Sequence, residues 1–127
     1  MLDKDEVTIL MAEDDQLIRK LNVEILSRLG YRVIDAMDGI DALEKFESME
    51  DSVDLLMTDI MMPGMDGARL ADRIRERKPD MKVLYNSGYC DDDTFESLPI
   101  DEQTATFLPK PYLPGTLAEK IKDILER

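Results

Sequence analysis

The sequence predicts an α/β fold, a five-stranded parallel sheet that is doubly wound, with helices on both faces. Three observations predict it. Short runs rich in β-branched and apolar residues alternate with longer stretches of helical spacing from end to end of the 127 residues. Several of these runs are continuously apolar rather than alternating, as in strands whose two faces are both covered. Right-handed crossovers then leave few ways of joining such β–α units into one sheet.

The elements follow in order. Val7–Ala12 is the first strand, and Leu17, Leu21, Ile25 and Leu29, repeating every four residues with Ile18 beside them, predict the apolar stripe of the first helix. Gly30 stands where that helix should stop. Arg32–Ala36 is the second strand, followed by a helix lined by Leu43 and Phe46. Val53–Thr58 is the third, followed by a helix lined by Leu70, Ala71 and Ile74, with Pro79 just beyond it. Lys82–Asn86 is the fourth. The segment Asp91–Thr104 carries an acidic run and Pro99, so only a short or loose helix and a loop are expected there. Ala105–Leu108 is the fifth strand, and Leu117, Ile121, Ile124 and Leu125 line the last helix. Repeats, low-complexity tracts and linkers are absent, so residues 1–127 are expected to form one domain with its core at about 7–126.

Composition narrows the function. The chain is 43% hydrophobic and 35% charged, enough apolar material for a core and too much for a disordered polymer. No apolar run is long enough to span a bilayer. The acidic start Met1-Leu2-Asp3-Lys4-Asp5-Glu6 lacks the layout of a signal peptide, and the single cysteine, Cys90, cannot form an internal disulfide. A cytoplasmic location is expected. A net charge of −13 disfavours nucleic acid and anionic membranes as partners. With no histidine, the chain has no histidine-based catalysis, no histidine metal ligand and no phosphohistidine of its own. P-loop, G-x-G-x-x-G and Cys-x-x-Cys patterns are also missing.

In an open α/β sheet, ligands gather at the carboxyl ends of the strands. Polar residues mark four of those ends: Glu13, Asp14 and Asp15 after the first, Asp59 after the third, Ser87 after the fourth and Lys110 after the fifth. Two carboxylates 4 Å apart repel by about 4 kcal/mol at an effective dielectric of 20. A helix N-terminus offsets roughly 0.3–1 kcal/mol of this for an exposed charge, and one lysine cannot neutralise the group. A divalent cation can, and hard oxygen donors favour Mg²⁺. Plainer readings stand beside this one. The acidic triplet can simply cap the first helix, Asp59 can be a turn residue before Pro63-Gly64, Ser87 can satisfy a turn, and Lys110 can be solvated.

The run Asp59-Ile60-Met61-Met62-Pro63-Gly64-Met65-Asp66-Gly67 closely resembles the phosphoacceptor segment of response-regulator receiver domains. Ile9-Leu10-Met11-Ala12-Glu13-Asp14-Asp15 is similar to the family's first strand and acidic pair. Val83-Leu84-Tyr85-Asn86-Ser87-Gly88-Tyr89 is similar to its fourth strand, and Phe107-Leu108-Pro109-Lys110-Pro111-Tyr112 to its Lys-Pro signature. Four separated motifs agree in order and spacing over nearly the whole chain. The resemblance implies a flavodoxin-like, CheY-like (βα)₅ fold. It also implies a phosphoryl group accepted on Asp59 from the phosphohistidine of a histidine kinase or histidine phosphotransfer protein. It gives Mg²⁺ to Asp14 directly, to Glu13 through water, and to Asp59 and the backbone carbonyl of Met61. Asp15 falls outside that ligand set. Lys110 is implied to pair with a phosphoryl oxygen, and the peptide bond that joins it to Pro111 is implied to be often cis. Ser87 is implied to be the switch hydroxyl and Phe107 the switch aromatic, although an aromatic in the last strand can equally be plain core. Met61 and Tyr89 are implied to flank the pocket. The expected output is a phosphorylation-switched protein-binding surface, reading out to a downstream protein or an attached kinase, and no turnover enzyme.

Rival readings make different demands on the sequence. A phosphatase of the haloacid dehalogenase type needs a second aspartate two residues after the nucleophile, where this chain has Met61. A flavodoxin-like cofactor carrier needs a Ser/Thr-rich phosphate loop after the first strand, where this chain has acids. A receiver-like module that is never phosphorylated has no need of the complete acceptor, metal and lysine set.

Overall fold

The computed structural model describes residues 7–49, 52–87 and 103–127. Its elements in chain order are β1 (Thr8–Ala12), α1 (Gln16–Arg28), β2 (Arg32–Ala36), α2 (Gly39–Met49), β3 (Leu55–Asp59), α3 (Gly67–Arg77), β4 (Lys82–Ser87), β5 (Ala105–Pro109) and α4 (Pro114–Leu125). The strands pair in parallel in the order β2-β1-β3-β4-β5. All five expected strands are present within a residue or two of their expected bounds. The helix expected within 91–104 lies outside the described residues, apart from a turn at 103–104 that leads into β5.

Alternate side chains of the central strands enter two cores. Leu10, Ala12 and Leu56 face α2 and α3, where Phe46, Leu70, Ala71 and Ile74 are buried. Ile9, Met11, Leu55 and Met57 face α1 and α4, where Leu26, Leu117, Ile121 and Ile124 are buried. This is the period-2 geometry of a strand covered on both sides, and each large apolar side chain buried there contributes about 1.5–3 kcal/mol. The edge strand β2 is largely exposed or half-buried until Ala36, as its position requires.

The stripe expected on α1 needs correction. Leu17 and Leu21 are 78% and 54% exposed, whereas Asn22 and Leu26 are buried. A step of four residues overshoots one helical turn by about 40°. Leu17, Leu21, Ile25 and Leu29 therefore wind around the helix, and only the last two reach the core boundary. Gly30 follows the helix end in the left-handed region, with φ of 97°, as its position suggested.

Candidate functional site

The register of β1 against β3 aligns Ala12 with Thr58, so the next residues, Glu13 and Asp59, leave the sheet side by side. Asp59 is also held on its other flank, where it pairs with Asn86 of β4 and the following N–H, of Ile60, donates to the Asn86 carbonyl at 2.9 Å. Between the two carboxylates sits the ammonium of Lys110, which follows β5. Lys110 Nζ donates to Glu13 Oε1 and lies 2.7 Å from Asp59 Oδ1. All three side chains are largely withdrawn from water.

Three consecutive acids divide at this point. Asp15 is the N-cap of α1, its Oδ1 accepting from Leu17 N at 2.9 Å and Ile18 N at 3.0 Å. The capping reading of the triplet is thus correct for Asp15. Glu13 turns inward, while Asp14 is exposed. Carboxylate oxygens of Glu13, Asp14 and Asp59 all lie within 4.8 Å of one another. Three hard anionic donors at that separation fit a divalent cation such as Mg²⁺.

Burial and crowding shape the proton affinities. Asp59 is pushed up to about 8, first by burial and then by its hydrogen bond and repulsion with Glu13, against the opposing pull of Lys110. Glu13 meets the same burial, but its hydrogen bonds to Asp59 and Lys110 outweigh it and hold its carboxyl below the usual range. Burial would lower Lys110, yet its bonds to Asp59 and Glu13 raise it, so the ammonium is retained. In the metal-free state these opposing shifts favour a proton held between Asp59 and Glu13 beside the retained ammonium.

The loop after β3 owes its shape to glycines. Gly67, the first residue of α3, donates its N–H to the Ile60 carbonyl at 2.7 Å, and a Cβ there would stand 2.1 Å from the Asp59 carbonyl oxygen. Only glycine lets α3 start this close to the strand end. Gly64 turns the loop with φ of +83°.

The expected site residues are distributed as follows. Glu13, Asp14, Asp59 and Lys110 converge. Met61 lies in the β3–α3 loop with its side chain 76% exposed. Phe107 is half-buried on β5, its ring centroid 5.6 Å from that of Tyr85. Ser87 ends β4, but its hydroxyl, like Tyr89, is outside the described residues. The Lys110–Pro111 peptide is cis.

Two further contacts escaped sequence reasoning. Arg19 of α1 donates to the Glu13 carbonyl at 2.8 Å and lies 3.7 Å from Asp35 of β2, tying the acidic loop down. A cation one helical turn after an acidic cap was the available signal. Tyr112 donates its hydroxyl to the buried amide oxygen of Asn22 at 3.0 Å.

Residues 9–122 match the family model described as response regulator receiver domain. The chain is 38% identical over 120 residues to the sensor kinase CckA of Brucella abortus, covering 94% of this chain and 13% of that protein. It is 42% identical over 81 residues to the response regulator receiver protein CpdR of the same organism, covering 64% of this chain and 66% of that one. The chain thus spans less than two thirds of either relative. Among solved structures it is similar to the receiver domain of the hybrid histidine kinase CckA, with a TM-score of 0.79, 36% identity, and coverage of 93% of this chain and 98% of that one. A response regulator receiver protein from Sinorhizobium medicae superimposes with a TM-score of 0.84 at 27% identity, covering 94% of each chain.

Proposed function

The chain belongs to the response regulator receiver domain family of two-component systems, and on that premise we propose that Asp59 is its phosphoacceptor, with Lys110, Glu13 and Asp14 as the charged frame around it. The family function is to accept a phosphoryl group, and the five-stranded parallel fold is the family's fold. One observation carries the assignment to Asp59. Its carboxylate is buried at the end of a central strand, 2.7 Å from a lysine ammonium and within reach of two further carboxylates.

Asp59 attacks phosphorus with one carboxylate oxygen. The P–N bond of a donor phosphohistidine breaks as the new O–P bond forms, and the imidazole leaves with the electron pair and takes a proton from solvent. A bound Mg²⁺ supplies screening of the repulsion between the carboxylates and the incoming phosphoryl group. Glu13, Asp14 and Asp59 would hold it, with the Met61 carbonyl as a further oxygen donor. Lys110 then keeps one contact for a phosphoryl oxygen, for which its retained charge suits it. Ser87 and Phe107 are proposed as the switch pair that reports the phosphoryl group to a protein-binding face.

The proposed donor is a histidine kinase or histidine phosphotransfer protein, a reading supported by the likeness to a segment of a sensor kinase. The output is a contact with a downstream protein or an attached kinase, without turnover of a separate substrate. Among the described residues no helix is long and apolar enough to cross a membrane, and we place the domain in the cytoplasm. Intact-mass measurement after exposure to phosphoramidate and Mg²⁺ tests the assignment. A single added phosphoryl group, labile in alkali and absent from Asp59→Asn, is expected. Full modification of the variant refutes it.

A further inference from the structure

We infer that the hydrogen bond between Tyr112 and Asn22 sets the position of Lys110, making Tyr112 and Asn22 positioning residues for transfer to Asp59. The inference rests on the reading of Asp59 as acceptor.

Asn22 is out of place by the rules that govern its surroundings. It lies in the middle of α1, 3% exposed, on the same buried face as Leu26. Asparagine is a poor residue for a helix interior, because its side chain competes for backbone partners. A buried amide with no partner is destabilising. Leucine would suit stability better. What Asn22 gains is a partner 90 residues away, the Tyr112 hydroxyl at 3.0 Å.

Tyr112 stands two residues after Lys110 in the turn from β5 to α4. That turn has little backbone to hold it in place. Pro109, Pro111 and Pro114 have no N–H to donate, and Pro109, Pro111, Leu113 and Pro114 are all exposed. Tyr112 is the one residue between β5 and α4 that packs against the α1–α4 core. Lys110 is thereby held between two anchors. Upstream is the pairing of β5 with β4, which aligns Asn86 with Leu108 and Ser87 with Pro109. Downstream is the Tyr112–Asn22 bond.

The helix at the other end of that bond also governs the acids. Asp15 caps α1, and Arg19, one turn before Asn22, donates to the Glu13 carbonyl. The bond therefore joins the element that carries Lys110 to the one that fixes Glu13. A lysine side chain has many rotamers, so where its backbone is fixed decides whether Nζ bridges both carboxylates. An apolar pair would fill the same space but leave the turn free to slide, whereas a hydrogen bond has a required distance and angle.

The test separates stability from positioning. Tyr112→Phe strands the buried Asn22 amide and is expected to lower the melting temperature. Tyr112→Phe combined with Asn22→Leu replaces both partners by apolar groups, which is near neutral or stabilising for the fold. Each variant is loaded with phosphoramidate at saturating Mg²⁺, and the ¹H–¹⁵N signal of the Lys110 ammonium is followed in the metal-free protein. The double variant is expected to stay fully folded with its maximal loading rate reduced by about tenfold. Its half-saturating donor concentration should move by less than about twofold, and its Lys110 signal should shift or broaden. A stable double variant with the wild-type maximal rate and an unmoved Lys110 signal overturns the inference. If the wild type takes no phosphoryl group at all, the reading of Asp59 fails on its own account, and the Lys110 signal alone then decides whether Tyr112 and Asn22 position the lysine.

Discussion

The two ends of the sheet use charge in opposite ways. At the amino ends of the strands, four charged side chains each close a backbone group. Asp54 accepts from Thr8 N at 2.9 Å, Lys78 donates to the Val53 carbonyl at 2.6 Å, and Lys82 donates to the Leu125 carbonyl at 2.9 Å. Arg75 does the same for Met81 and Thr104. At the carboxyl ends, Glu13, Asp59 and Lys110 face one another instead, and burial leaves Asp59 pushed up to about 8. Charges at the amino end stabilise the fold. Those at the carboxyl end are crowded together out of water, which is what the proposed cation and phosphoryl site would require.

The largest effect that can break this contrast lies in the pH dependence of stability. An acid whose folded pKa is raised from about 4 to about 8 binds its proton in the folded state across that interval while the unfolded chain has lost it. Asp59 therefore makes the metal-free protein less stable as pH rises from 4 to 8, and the loss levels off above. Asp59→Asn removes this dependence. Its stability relative to wild type should grow by on the order of a few kcal/mol between pH 5 and pH 8 in denaturant titrations without Mg²⁺. A constant difference would mean that the carboxyl end is as relaxed as the amino end. Asp14→Ala should weaken Mg²⁺ binding at least about tenfold by calorimetry, because a direct carboxylate ligand is lost. The same variant should load more slowly, and wild-type affinity would remove Asp14 from the ligand set.

Smaller effects sharpen the other side. Lys78→Met should cost about 1–2 kcal/mol by leaving the Val53 carbonyl without its charged donor. Mg²⁺ affinity and loading rate should be unchanged, and a slowed rate would show that the two ends are coupled. Leu17→Gln should change stability by less than about 0.5 kcal/mol, since the side chain is exposed. A loss comparable to that of a core leucine would restore the stripe first expected on α1.

Most of the fold could be read from the sequence because buried parallel strands leave continuous apolar runs, and the four motifs fall at the ends of those runs. Glu13, Asp59 and Lys110 were legible for the same reason, since strand ends are where a sheet brings distant residues together. The face of α1 was not. A repeat of four leucine-sized residues mimics a stripe, and only the true angular step separates Leu17 from Leu26. Nor could spacing reveal Asn22 and Tyr112, because a polar residue at a buried helical position looks like a break in the pattern until its partner is seen. The bridging of both acids by Lys110 depends on side-chain reach, about which strand order is silent.

The strand order has a further consequence, for a chain that is only partly made. β1 and β3 are neighbours at the centre of the sheet, while β5 is at its far edge and its lysine follows 51 positions after Asp59 in a chain of 127. A nascent chain that has released its first three strands can already bring Glu13 beside Asp59, but has no Lys110 to set between them. Such an intermediate lacks the opposing pull of Lys110, so the two carboxyls lie together by sharing a proton. Only when β5 pairs with β4 can Lys110 come between Glu13 and Asp59, so the triad is completed by the strand at the edge of the sheet and not by the two at its centre.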